Sequence, residues 1–107
     1  MSFQTVDQFE KKIANFFNSP YAIAIDSCTH AIELCLRYKN IKNKITIPQR
    51  TYISVPFTLI KLNLKWDWEE VHWTNYYNLK GTNIYDAAVL WERGSYIKNT
   101  LMCLSFQ

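Results

Sequence analysis

Residue types able to do chemistry gather in this sequence where an apolar run gives way to a helix-like pattern. The clearest such place is Asp26-Ser27-Cys28-Thr29-His30, after the apolar run 21–25. A helix start presents unpaired backbone N–H groups and the positive end of the helix dipole. The hydroxyls of Ser27 and Thr29 would add donors, so the turn can cradle a phosphate without glycine. An ordinary N-cap by Ser27 or Thr29 explains the same residues and is the commoner use of such a turn. Asp86 ends a short apolar strand and precedes Ala87-Ala88. A carboxylate there stands at the carboxyl edge of a sheet, where open α/β folds bind ligands, and can either hold a cationic ring nitrogen or cap the next helix. Tyr52, after Pro48-Gln49-Arg50-Thr51, is placed either to stack on a flat ligand or to fill the core.

Other chemistries find less support. His30 and His72 lie far apart, and neither has a second ligand at metal spacing. Cys28 at a helix start is open to activation, but no base partner is evident. Glu69-Glu70 reads as a solvated pair, because sequence neighbours diverge on either regular element.

The elements that must position these residues are legible as periodicities. Residues 5–18 predict an amphipathic helix, with Thr5 as cap, Gln8 at the capping-box position and Phe9, Ile13, Phe16 and Phe17 at helical spacing. Tyr21-Ala22-Ile23-Ala24-Ile25 predicts a buried strand. A second helix is expected over 29–39, a strand at 44–47 ended by Pro48, and a third helix over 51–63 with Pro56 near its start. Leu64-Lys65-Trp66-Asp67-Trp68 alternates like an edge strand, while residues 69–82 resist placement. Residues 83–86 predict a strand, 87–91 suit a helix, and 101–104 predict a last strand. This alternation points to an α/β fold of three layers with a mostly parallel sheet.

Composition narrows the classes. With 107 residues the chain is one small domain, and 49% hydrophobic with 16% aromatic residues argues against disorder. Two glycines cannot build a Gly-rich phosphate loop. A net charge of +3 with basic residues scattered, apart from Lys39, Lys42 and Lys44, gives no nucleic-acid track. Three cysteines without CxxC or CxxH spacing argue against a disulfide framework or structural zinc and fit reduced thiols in the cytoplasm. Met1-Ser2-Phe3-Gln4 is no signal-peptide start, and the apolar runs are too short to span a bilayer. The chain ends on an apolar strand and Ser105-Phe106-Gln107, with no polar tail, which reads as a frame that once continued.

Taken in order, these turns resemble the DegT/StrS-type sugar aminotransferases, pyridoxal-phosphate enzymes of the aspartate-aminotransferase fold. The resemblance rests on residues 21–31, on Ile45-Thr46-Ile47-Pro48 with Thr51-Tyr52-Ile53-Ser54, on Ile84-Tyr85-Asp86-Ala87-Ala88, and on Cys103-Leu104-Ser105-Phe106. It implies a reduced large domain of the aminotransferase type spanning residues 1–107, and pyridoxal 5'-phosphate as cofactor. It further implies that Cys28 and Thr29 hold the cofactor phosphate with Ser105, that Tyr52 and Ala88 sandwich the ring, and that Asp86 pairs with the ring nitrogen. Amino transfer from glutamate to a keto-sugar nucleotide would be the reaction, in a homodimer or with a second chain supplying the missing half.

Three departures accompany the resemblance. The family's Schiff-base lysine follows the serine of the last motif by about five positions, and only two residues follow Ser105 here. No catalytic residue is therefore assigned, and the chain alone is expected to be inactive. Val89 stands where the family usually has Gln or His, and residues 73–82 replace a much longer segment. A binding module for pyridoxal or pyridoxamine phosphate, or an interaction protein with a decayed site, is the alternative.

Overall fold

Asparagine does much of the punctuation in this glycine-poor chain. Asn18, Asn40, Asn63, Asn75 and Asn99 all adopt positive φ, and three of them close helices. Asn tolerates the left-handed region better than other non-glycine residues, so it can end a helix where glycine is scarce. The computed structural model describes residues 3–106, so the readings on Met1, Ser2 and Gln107 lie outside the described residues.

Helix α1 covers Phe3–Phe17, α2 covers Cys28–Lys39 and α3 covers Ser54–Lys61. Ser27 caps α2 from an extended conformation, and its Oγ accepts the His30 N–H at 3.1 Å. We expect Ser27→Ala to cost about 1 kcal/mol, read by urea denaturation; an unchanged midpoint would show that the cap contributes nothing. Helix α3 is shorter than its periodicity predicts. It begins at Ser54, so Pro56 falls in the first turn, where its missing N–H costs nothing. It stops where Asn63 turns left-handed and the Leu64 N–H reaches back to the Leu59 carbonyl at 3.0 Å.

Five short strands complete the fold: β1 Ile45–Pro48, β2 Trp66–Glu69, β3 Tyr77–Asn78, β4 Ile84–Asp86 and β5 Leu101–Cys103. β1 pairs with β2 in parallel, β3 with β4 antiparallel, and β4 with β5 in parallel. The two sheets meet at Thr46 and Lys80, which exchange N–H···O bonds of 3.0 Å in each direction as an antiparallel bridge. Hence β1, β2, β4 and β5 run the same way, and β3 with its extension runs against them between β1 and β4. The protein is α/β. Helices α2 and α3 cover one face, and Ile32, Leu36, Val55 and Leu59 pack on Ile45, Ile47, Leu79, Ile84 and Cys103. Alternation puts Ile45 and Ile47 on that face, and the Thr46 hydroxyl bonds Asp67 at 2.7 Å.

Three expectations fail. Thr5 stands inside α1, which already covers Phe3–Phe17, and so is not its cap. Residues 21–25 form no strand: Tyr21 is 82% and Ile23 76% exposed. The segment is tied to α1 instead, through the Ala24 N–H to Glu10 Oε2 at 2.7 Å. An apolar run becomes a strand only where a sheet offers an edge, and the segment pairs with none among the described residues. Residues 87–91 form a turn and no helix. Ala87 prolongs the sheet by donating to the Cys103 carbonyl at 2.9 Å, and Leu90 closes on Ala87 at 3.0 Å. Trp91 then joins Phe16, Phe17 and Phe106 in an aromatic cluster that holds α1. The 69–82 stretch, unplaced from sequence, supplies β3.

Candidate functional site

The carboxyl ends of the four like-directed strands share one edge, where Asp86 closes β4 and Ser105 follows β5, whereas Cys28 and Thr29 open α2 after a segment that forms no strand. The Thr29 hydroxyl donates to Ser54 Oγ at 2.8 Å, which ties the start of α2 to the start of α3. The Ser27 cap takes the His30 N–H, and helix geometry leaves the N–H groups of Cys28 and Thr29 as first-turn donors without a helical carbonyl. His30 Nδ1 pairs with Asp26 Oδ1 at 2.7 Å, and that contact holds the Asp26 carboxyl below its ordinary range. Capping and phosphate binding are therefore compatible in this turn.

Cys28 is half-buried, and burial, the Asp86 carboxylate and Cys35 push its thiol up to about 12. The helix start does not make it a nucleophile; it remains a neutral thiol. The same interaction places Asp86 near the start of α2.

Asp86 is the chemical centre of this edge. It is only 7% exposed, yet both of its oxygens are satisfied within the chain. The Tyr77 hydroxyl donates to Oδ2 at 2.8 Å, and the Ala88 N–H donates to Oδ1 at 3.2 Å. Burial first, and then the Asp86 charge, raise the Tyr77 phenol far above its ordinary value, so it stays a donor. Tyr77 was not singled out from sequence. The signal present was the alternation Tyr77-x-Leu79 before Lys80-Gly81, which announces a hairpin into 83–86.

The remaining candidates are less gathered. Tyr52 is 76% exposed, and its carbonyl accepts the Val55 N–H at 3.0 Å in the turn before α3. Ala88 meets Asp86 through its backbone. Ser105 is half-buried, and its carbonyl accepts the Trp91 indole N–H at 3.0 Å. A cavity of about 370 Å³ is lined by Asn18, Pro20, Tyr96, Lys98 and Asn99, away from this edge. Among the described residues no group of His, Cys, Asp or Glu is placed to hold a metal ion.

The family model described as the DegT/DnrJ/EryC1/StrS aminotransferase family matches residues 1–87. The chain belongs to this family. The match takes in α1, the start of α2, Tyr52 and Asp86, and it stops before Ala88, Cys103 and Ser105. The matched segment therefore includes the Ser27-Cys28-Thr29 turn and the strand-end Asp86, whereas Ala88 and Ser105 lie beyond it. No curated protein and no solved structure gives a significant match to the chain. Among the described residues no helix is long and apolar enough to cross a membrane.

Proposed function

We propose that this chain is a reduced N-terminal large domain of a pyridoxal-phosphate-dependent nucleotide-sugar aminotransferase, built on the three-layer, mostly parallel plan. The observation that carries the reading is Asp86: a buried carboxylate at a strand end, beside a helix start, inside the segment matched to the aminotransferase family. The residues fit the cofactor in their chemistry. Cys28 and Thr29 offer first-turn N–H donors to a phosphate, with Ser105 as a further donor, and Tyr52 and Ala88 would flank the ring. Asp86 would pair with the ring nitrogen once Tyr77 gives up its oxygen. When bound, the cofactor supplies an electron sink for amino transfer.

Amino transfer in this reading also needs a lysine to carry the cofactor and move the proton, a role that none of the residues assigned here fills. In this reading it works in the cytoplasm as a homodimer or beside a second chain. One observation favours a second reading, an interaction protein with a decayed site: Asp86 already has both oxygens bonded.

Titration of the purified chain with pyridoxal phosphate and with pyridoxamine phosphate, followed by absorbance and equilibrium dialysis, separates the two. Under the first reading both forms bind, and Asp86→Asn weakens binding by about tenfold or more, as loss of a charged hydrogen bond should. No binding of either form by the folded chain would leave the second reading.

A further inference from the structure

Cys35, midway along α2, and Cys103, at the end of β5, bring their sulfurs to 3.9 Å from one another. Sequence spacing argues against a disulfide framework, yet folding joins two thiols that stand 68 positions apart. We propose that Cys35 and Cys103 form a reversible disulfide, by exchange with a small-molecule disulfide, that fastens α2 to β5.

The sulfurs are already in contact. A disulfide needs about 2.05 Å between them, so forming it draws the sulfurs closer than the contact they already make. Their environments divide the labour. Cys35 is half-buried, and the hydrogen bond from the neighbouring Cys103 thiol holds it below the ordinary thiol range. Cys103 is 2% exposed, and that contact together with burial raises it. Cys35, the more accessible of the two sulfurs, is thus the attacking thiol and buried Cys103 the resolving one.

The exchange balances. The Cys35 thiolate attacks one sulfur of the small disulfide, whose S–S bond breaks and releases one thiolate. Cys103 then yields its proton to that thiolate, attacks Cys35 Sγ, and expels the second thiolate, which takes a proton from water. Two protein thiols are oxidised by two electrons, and one small disulfide is reduced to two thiols. Cys28 takes no part, because the sulfur-to-sulfur contact is the one between Cys35 and Cys103.

The bond would join the two walls of the edge described above. Cys103 is the register partner of Asp86, and α2 begins at Cys28. The inference is independent of whether a cofactor binds there.

The test uses the full chain incubated with oxidised glutathione. Free thiols should fall from 3 to 1, the intact mass should drop by about 2 Da, and peptide mapping should show Cys35 joined to Cys103. The melting temperature should rise by about 10 °C, because the cross-link closes a long loop in the unfolded chain, and dithiothreitol should reverse it. Cys28→Ala should behave alike, and Cys35→Ala should remain reduced. Three persisting thiols, a product that stops at a glutathione adduct, a cross-link through Cys28, or a bond between two chains would each overturn the proposal.

Discussion

Gly81→Ala should lower the melting temperature by about 15 °C, corresponding to a loss of about 3 kcal/mol. Gly81 has φ of +98°, and a Cβ there would stand 2.6 Å from the Lys44 carbonyl oxygen and 2.9 Å from Asn43 Nδ2. The backbone oxygen cannot rotate away, so the β3–β4 turn must move. Lys80 precedes this turn and carries the pair of hydrogen bonds to Thr46 that joins the two sheets. Strain from the left-handed conformation alone costs about 1–2 kcal/mol, and the collision with the Lys44 carbonyl just before β1 adds the remainder. Gly94→Ala is the control: φ there is +71°, with nothing within 4 Å of an added Cβ. Thermal denaturation of both variants should show a loss at Gly81 at least twice that at Gly94. Equal losses would mean that the close approach to Lys44 has no structural weight.

Stability should also fall steeply in alkali, by about 2–3 kcal/mol between pH 8 and pH 11. Cys28 rises from an ordinary 9.0 to about 12 on folding, and Tyr77 rises from 10.0. For a group whose proton is held more tightly in the folded state, stability is complete below the unfolded pKa and is lost as pH climbs above it. The Cys28 contribution therefore begins to disappear above about pH 9 and that of Tyr77 above about pH 10, each by at most about 1.4 kcal/mol per pH unit. The Cys28 share is counted at about half, because the side chain is partly exposed and screened by solvent. Cys35 and Cys103 shift in opposite directions and oppose one another. Urea midpoints measured from pH 7 to pH 11 should stay level and then bend downward. Tyr77→Phe with Cys28→Ala should remove most of the bend; a wild-type curve level to pH 11 would refute the assignment.

Much of this protein could be read from the order of its residues. The helices follow from local physics. Apolar spacing marks α1 and α2, a serine stands where α2 needs its cap, and Pro56 sits where a helix tolerates it. Asp86 at a strand end and Ser27 at a helix start were legible because each element's end carries its own polar signature, although among the described residues no strand precedes α2 and no helix follows β4.

Tertiary structure decided what depends on a neighbour. Residues 21–25 have the pattern of a buried strand, but no strand lies beside them among the described residues, so they remain exposed. Ala87 and Ala88 have the composition of a helix, but the carbonyl of Cys103 captures the Ala87 N–H, and the Asp86 carboxylate captures that of Ala88. Tyr77 became the partner of Asp86 only because a hairpin two residues wide folds it back across β4. The meeting of Cys35 with Cys103 is of the same kind. Periodicity reports the face that a residue presents, which is a property of one element. Which group meets that face depends on packing between elements far apart in the chain, and no local pattern encodes it.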